Sequence, residues 1–354
     1  MVYYGTAFIN DSVCRDIKQV DIVMQDKNFR PYRVAVLALE YSVATTITGP
    51  QDVFSMTGML YEMSRGEEPI RYFTVQIVTP DGRPVLCYND LLITPHCSIQ
   101  ECNPDIVLVP GILNIEAALG SNEKVVDWLQ LQHSRGCILS AICSGSLLLA
   151  ATGLLDGRDA TTHWAMINEF RKRFPRVLLK PDELITEDSN LICSGSYNSF
   201  LDVSLYLIKK LYGPTIAMQC SKVFLHDPDQ RSQAPYSLFS GAHEHGDKQI
   251  LRIQQIMEEQ YTKNFDYNTL ARKYGMGRRT LERHFKKATG ETPLAYLQRV
   301  RIEHAKQLLE SGNTSIDEIC SQVGYMDNSF FRKLFIKYTS LRPSEYRARF
   351  SCND

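Results

Sequence analysis

Two fold classes are predicted within one chain of 354 residues: an α/β sandwich with a mainly parallel sheet, and behind it an all-α double helix-turn-helix unit. Three observations carry this. As far as Leu225, short and continuously apolar runs alternate with helical stretches, the pattern of strands buried on both faces. A polar segment, 227–247, then lacks periodicity and holds two prolines and two glycines. Beyond it the sequence reads helical and repeats itself once.

In the first part, Arg33 to Leu39 (RVAVLAL) is a compact β-rich run, and Gly49-Pro50 opens a helical stretch, QDVFSMTGMLYEM. Tyr72 to Val78 reads as a second strand, closed by the turn Pro80-Asp81-Gly82. Asp105 to Val109 is a short apolar strand ending in Pro110-Gly111. Glu123 to Ser134 has helical spacing at Val126, Leu129 and Gln130, and Cys137 to Ile142 is again a strand, followed by a helix from Ser144. The resulting division is an N-terminal extension (1–32), an α/β domain (33–226), a linker (227–247) and a helical domain (248–350).

Composition excludes several classes. At 44% hydrophobic and 22% charged, with a mean hydropathy of -0.22, the chain has enough apolar material for packed cores and too much for a disordered one. The net charge of -1 hides an asymmetry: residues 247–354 hold 19 Lys+Arg against 13 Asp+Glu, and the remainder 20 against 27. The first 14 residues lack Lys, Arg and any sustained apolar run, which argues against a secretory signal. Gly136 to Leu155 is uncharged and long enough to span a bilayer, but Ser140, Ser144, Gly145 and Ser146 in its middle read instead as strand, tight turn and buried helix. The 10 cysteines show no C-x-x-C, and His96, Cys97, Cys102, His243 and His245 are too sparse for a zinc site, so no metal or other cofactor is expected. Reduced thiols in a cytoplasm are the simplest reading.

The repeat is the most informative feature. Leu270-Ala271, Tyr274-Gly275, Leu281, Phe285, Pro293 and Tyr296 recur as Ile319-Cys320, Val323-Gly324, Phe331, Phe335, Pro343 and Tyr346, displaced by 49 residues and then by 50. Each copy reads as a helix, a turn at glycine, and a second helix with an apolar i, i+4 pair: a helix-turn-helix, whose second helix enters the major groove. Thr292-Pro293 and Gly312 bound a connecting helix of about 28 Å, which would hold the reading helices about 34 Å apart, one turn of DNA. With Leu281, Phe285 and Ala288 inward, Arg278, Arg279, Thr280, Arg283 and Lys286 are the candidate contacts of the first copy. Asn328, Ser329, Arg332 and Lys333 are those of the second. Guanidinium groups bind guanine edges bidentately, Asn binds adenine, and Lys serves phosphates or guanine.

On these residues, 248–350 resembles the DNA-binding domain of the AraC/XylS transcription regulators. The first copy keeps Gly290-x-x-Pro293 and the connector's Arg301, Ala305 and Leu308; the second keeps Val323-Gly324-Tyr325 and Pro343-Ser344-Glu345-Tyr346-Arg347. It departs at Cys320, where alanine is usual, and at Ser340, where glycine is usual. A serine in a left-handed turn costs about 1 kcal/mol.

The acidic body has one chemically suggestive stretch, Ser140 to Ser146. Ala141 and Gly145, two before and two after Cys143, are what a strained strand-to-helix elbow requires. Gly111 would offer a backbone N–H, and His163 follows twenty residues later, so the set suits a cysteine nucleophile. Equally, cysteine is among the most buried residue types, and the near-copy Ile192-Cys193-Ser194-Gly195-Ser196 is explained by packing alone.

This domain resembles the class I glutamine amidotransferase-like, PfpI-type fold through Gly49-Pro50-x-Asp52-Val53-Phe54, the Asp105-to-Gly111 strand, the Cys143 elbow, and Gly153 to Trp164. The match is strongest to the subgroup fused to an AraC-type tail, in which the fold acts as a sensor. PfpI-type hydrolases carry histidine directly after the cysteine, where this chain has Ser144. Relatives with a carboxylate against the thiol place it where this chain has Thr46. The resemblance therefore implies a transcription regulator, activator in sign, without enzymatic activity, with Thr46, Gly111, Ile112, Cys143, Ser144 and His163 lining the effector pocket. It further implies homodimers, contact with RNA polymerase, and an amino-acid-derived or quaternary amine as small-molecule effector. Trp164 and several tyrosines would make a cation-binding wall, with core packing the weightier role for Trp164. Two other readings stay open: a cysteine-dependent hydrolase or glyoxalase-like enzyme with a DNA-binding tail, and a redox sensor acting through Cys143.

Overall fold

In a computed structural model of the chain, the described residues are 30–227, 232–239, 241, 243 and 245–351. They divide into two compact units on either side of Arg231 and Ser232. The expected extension lies outside the described residues up to position 29.

The first unit is built on seven strands: β1 (Tyr32–Leu37), β2 (Phe73–Thr79), β3 (Cys97–Ser98), β4 (Ile106–Val109), β5 (Ile138–Ile142), β6 (Ile185–Asp188) and β7 (Leu191–Ser194). Their order is β6-β7-β5-β4-β1-β2-β3, every pair parallel except the hairpin β6–β7. Alternation along β1 shows why the runs are continuously apolar. Ala35 and Leu37 enter one core with Val107, Val109 and Leu139, while Val34 and Val36 enter the other with Ile106, Leu108 and Ile138. Both faces are covered by helices, so both side-chain phases must be hydrophobic. On the first face lie α3 (Ile115–Ser121), α4 (Glu123–Ser134), α5 (Gly145–Ala151) and α6 (Ile167–Arg173). On the second lie α1 (Thr45–Met56), α7 (Phe200–Tyr212) and α8 (Pro214–Val223), with α2 (Leu60–Arg65) set against α8.

Two local expectations differ. The first helix begins at Thr45 rather than after Gly49-Pro50 and carries Pro50 within it. Gly49 is there because the Phe200 ring lies 2.4 Å from where its Cβ would stand. On α4 the buried residues are Val125, Trp128, Leu129 and Gln132, so the apolar stripe is rotated from the expected Val126–Gln130 face, and Gln130 is exposed. The uncharged stretch 136–155 is strand, turn and helix, as expected. No helix among the described residues is long and apolar enough to cross a membrane.

The second unit comprises α9 (Lys248–Glu259), α10 (Tyr267–Lys273), α11 (Arg278–Thr289), α12 (Pro293–Ser311), α13 (Ile316–Gln322), α14 (Asn328–Thr339) and α15 (Pro343–Phe350). Their starts are written in the sequence. Asp247, Asp266, Thr292, Ser315 and Asp327 each accept hydrogen bonds from the first turn of the helix that follows. The duplication persists at atomic detail. Thr289 and Thr339 each donate to a carbonyl four residues back, Phe285 and Phe335, and the next residue in each copy is left-handed, Gly290 at φ 82° and Ser340 at φ 59°. Part of the segment expected to link the units packs on the second one: Ala234 and Pro235 are buried, and Phe239 meets the Tyr296 ring edge-on at 5.2 Å.

Between the copies, Arg301 of α12 is buried at 5% exposure. Its guanidinium donates to the carbonyls of Tyr261 (2.7 Å), Lys263 (2.9 Å) and Gly324 (3.1 Å), and it lies 4.9 Å from the Tyr325 ring centre. Replacing Arg301 by Met should destabilise this unit by about 3–5 kcal/mol, since three acceptors lose their donor at once. Arg301→Lys, with no planar fork, should restore less than half. Calorimetry of the full chain would read both, and an unchanged second transition for Arg301→Met would contradict the assignment.

Candidate functional site

Two sites emerge, one in each unit. In the first, the carboxyl ends of the adjacent parallel strands β4 and β5 face α1, which is where open α/β sheets hold ligands. Cys143 follows β5 directly and has φ +56°, a left-handed conformation that a non-glycine residue rarely adopts. The elbow is possible because Gly145 lets the chain pass the β4 end: a Cβ there would stand 2.3 Å from the Pro110 carbonyl oxygen. The expected elbow is therefore present.

The pocket residues named from sequence fall around this turn. Thr46 Oγ1 donates to the Val43 carbonyl (2.7 Å) and accepts from the Gly111 amide (3.0 Å). Ser144 Oγ accepts from the Ile112 amide (2.8 Å) and donates to the Ile112 carbonyl (2.7 Å). Both hydroxyls are thus engaged in fixing the loop after β4. Cys143 is fully buried, and burial pushes its thiol up to about 12, against the weaker pull of the Ser144 amide and of the Tyr197 and Ser144 hydroxyls. His163 caps a short 3₁₀ turn, its Nδ1 accepting from the Ala165 amide (3.2 Å), and burial lowers its pKa. The Cys143 carbonyl accepts from Ser146 Oγ (2.8 Å) and Thr162 Oγ1 (3.4 Å), so the elbow is braced on the Thr161-Thr162-His163 segment.

Sequence reasoning missed Tyr197. Its ring carbons lie 3.1 Å from where a Gly111 Cβ would stand, and its ring centre is 5.3 Å from that of His163. It covers the space between thiol and histidine, and its place directly after the Cys193 near-copy was the available signal. Cys193 lies in β7 paired with Ala141, and burial pushes its thiol up to about 12. It is a packing residue. Trp164 is half-buried beside His163 (ring centres 5.0 Å apart) and belongs to neither apolar core, which corrects the weight given to core packing.

In the second unit, α11 and α14 present the expected faces. Leu281, Phe285, Phe331 and Phe335 are buried, whereas Arg278, Arg279, Arg283, Lys286, Ser329, Arg332 and Lys333 are exposed; Thr280 and Asn328 are intermediate. Arg278 is paired with Glu282 (2.8 Å) and Arg332 with Asp317 (3.5 Å). Arg279, Arg283 and Lys286 carry no ion pair among the described residues. The face is cationic and unneutralised at its centre.

Comparison with known proteins matches each of the two units. Residues 32–210 match the DJ-1/PfpI family. The chain belongs to the DJ-1/PfpI family. Residues 270–349 match a helix-turn-helix domain, so this DJ-1/PfpI chain carries a DNA-binding module behind its α/β unit. It is 28% identical over 326 residues to the HTH-type transcriptional regulator GbdR of Pseudomonas aeruginosa, covering 91% of this chain and 85% of that protein. It is 27% identical over 275 residues to CdhR, an HTH-type transcriptional regulator of the same organism, covering 77% and 81%. The isonitrile hydratase of Pseudomonas putida is 30% identical over 141 residues, 39% of this chain and 60% of that one. The two regulators match over most of this chain, the enzyme over 39% of it.

At pH 8 a thiol titrating at about 12 is roughly one part in ten thousand thiolate. Alkylation of Cys143 by iodoacetamide, followed by mass spectrometry of its peptide, should rise tenfold per pH unit up to at least pH 10. A plateau below pH 9 would mean that the thiol is activated.

Proposed function

We propose that this chain is a sequence-specific DNA-binding transcription regulator whose DJ-1/PfpI unit binds a small metabolite and does not turn it over. The observation that carries the first half is the pair of reading helices, with Arg279, Arg283 and Lys286 exposed on one of them and in no ion pair among the described residues. Arg278, Thr280, Asn328, Ser329, Arg332 and Lys333 complete the proposed DNA contacts. A 19-residue connector, about 28 Å long, suits helices reading successive turns of one duplex.

The second half rests on the chemistry at the elbow. Activation of a cysteine needs a neighbouring base or positive charge. Here Ser144 and Thr46 hold backbone groups, the Ser144 and Tyr197 hydroxyls on the thiol are neutral, no carboxylate among the described residues bears on it, and His163 accepts a backbone N–H through Nδ1. Thr46, Gly111, Ile112, Cys143, Ser144 and His163 are the proposed lining. The half-buried aromatic rings of Tyr197, His163 and Trp164 suit an amino-acid-derived or quaternary amine, which is attracted to π faces. Effector binding would shift the balance between two states of the regulator, a homodimer in the cytoplasm that acts on RNA polymerase at nearby promoters.

The hydratase relative keeps one enzymatic reading specific enough to test. Purified full-length protein should leave isonitriles and amides unhydrolysed, and Cys143→Ala should change DNA binding little; turnover lost in that variant would establish an enzyme instead. For the reading helices, duplexes selected from a random pool are the substrate. Arg279→Ala and Arg283→Ala should each weaken the selected duplex by about 5- to 150-fold with little effect on random DNA. Lys286→Ala should weaken both equally. Equal losses on both duplexes from all three would refute base reading.

A further inference from the structure

The two reading helices are copies in fold but not in chemistry. With the 50-residue displacement that aligns Phe285 with Phe335, the outward positions of α11 are Arg279, Arg283 and Lys286, and those of α14 are Ser329, Lys333 and Ile336. Flanking them, Thr280 corresponds to Phe330. At about 100° per residue, Ser329, Lys333 and Ile336 stand opposite the buried Phe331, Leu334 and Phe335, with Phe330 and Arg332 on either side. Phe330 is 46% exposed and Ile336 42%.

The residue before each N-cap diverges in the same direction. Such a residue ordinarily packs back onto the first turn of its helix. Met276 does so, packing against the core of the first copy. Met326 does not: it is 99% exposed, at the end of α14 where a groove-inserted helix meets base edges. Met326 and the part of Phe330 not covered by the Tyr325 ring therefore meet water at the amino-terminal end of one reading helix, where the counterparts in the other are Met276 and Thr280.

We propose that the second helix-turn-helix reads thymine methyl groups through Phe330, supported by Ile336 and Met326, while the first reads guanine through arginine. This rests on the DNA-reading function proposed above. The major-groove edge of thymine presents a C5-methyl, the apolar group on the groove wall that an exposed phenyl ring recognises. Lys333 and Lys337 flank the patch on the Phe330 side, Arg332 is paired with Asp317, and the Asp327 carboxylate caps the helix start, so the positive charge that fits phosphate-lined DNA comes from the two lysines. The operator is accordingly asymmetric: one half-site is set by guanines, and the next, a helical turn away, by thymines.

Deoxyuridine differs from thymidine only by that methyl, which makes the test direct. Full-length protein is first used to select duplexes from a random pool. Each thymine of the selected site is then replaced in turn by deoxyuridine and affinity is measured. Wild type should lose about 4-fold at one or two positions, all in one half-site, the discrimination one buried methyl supplies. The Phe330→Ala protein should bind thymine and deoxyuridine duplexes alike there, while its discrimination at the guanine half-site persists, which also shows that it is folded. If no deoxyuridine substitution matters, or Phe330→Ala remains equally sensitive, the inference falls and DNA reading stands. Loss of transcription with unchanged DNA affinity in Phe330→Ala would assign the patch to the polymerase and overturn it equally. If selection enriches no sequence, the DNA-reading function itself fails first.

Discussion

The helical unit depends on one buried guanidinium. Arg301 sits on the connecting helix and spreads its donors over carbonyls that lie far apart in sequence, at Tyr261 and Lys263 after α9 and at Gly324 in the second copy's turn. No other side chain could do this, because only a planar fork with five fixed donors satisfies several acceptors at once. The turn it holds is itself pressed against the same loop. Gly324 has φ +86°, and a Cβ there would stand 2.5 Å from the Thr262 carbonyl oxygen. Its counterpart Gly275 needs glycine for its φ of +68° alone, with nothing within 4 Å. The first copy is a free-standing turn, and the second is clamped. Any DNA-reading geometry the pair achieves is set through that clamp.

The α/β unit shows the opposite use of buried polar groups. Around the elbow, hydroxyls of Thr46, Ser144, Ser146 and Thr162 all hold backbone groups in place, and the pull of the Ser144 and Tyr197 hydroxyls on the thiol is outweighed by its burial. Burial then keeps Cys143 neutral. A fold does not imply an activity, and this family holds both an isonitrile hydratase and transcription regulators. Around the strained turn of this chain, the hydroxyls of Thr46 and Ser144 hold the loop after β4 in place.

Much of this was legible in the sequence, for physical reasons that can be named. Strand runs such as RVAVLAL and DIVLV register because two-sided burial forces every residue to be apolar. The cap at Thr292 registers because it satisfies a local amide, that of Ala295, a purely short-range requirement. The elbow registers because close approach demands glycine at 145. Errors arose wherever a distant partner decided the matter. Gly49-Pro50 reads as a helix start, yet the helix runs through it because Gly49 is there for Phe200. The buried stripe of α4 is set by how the helix lies on the sheet, which its own periodicity leaves uncertain by one residue.

By itself, then, the sequence determined what local chemistry can encode: element types and ends, the duplicated helical unit, the cationic residues of its first reading helix, and the strained cysteine turn. Tertiary structure alone decided which groups meet. It laid Tyr197 over Gly111 beside Cys143, sank Arg301 among three carbonyls, packed residues 232–239 onto the helical unit, and left Met326 in solvent where its counterpart Met276 is partly covered. Contacts between residues 20 to 150 positions apart depend on how helices and sheet dock, and docking is the outcome of packing the whole core, which no local stretch of sequence contains.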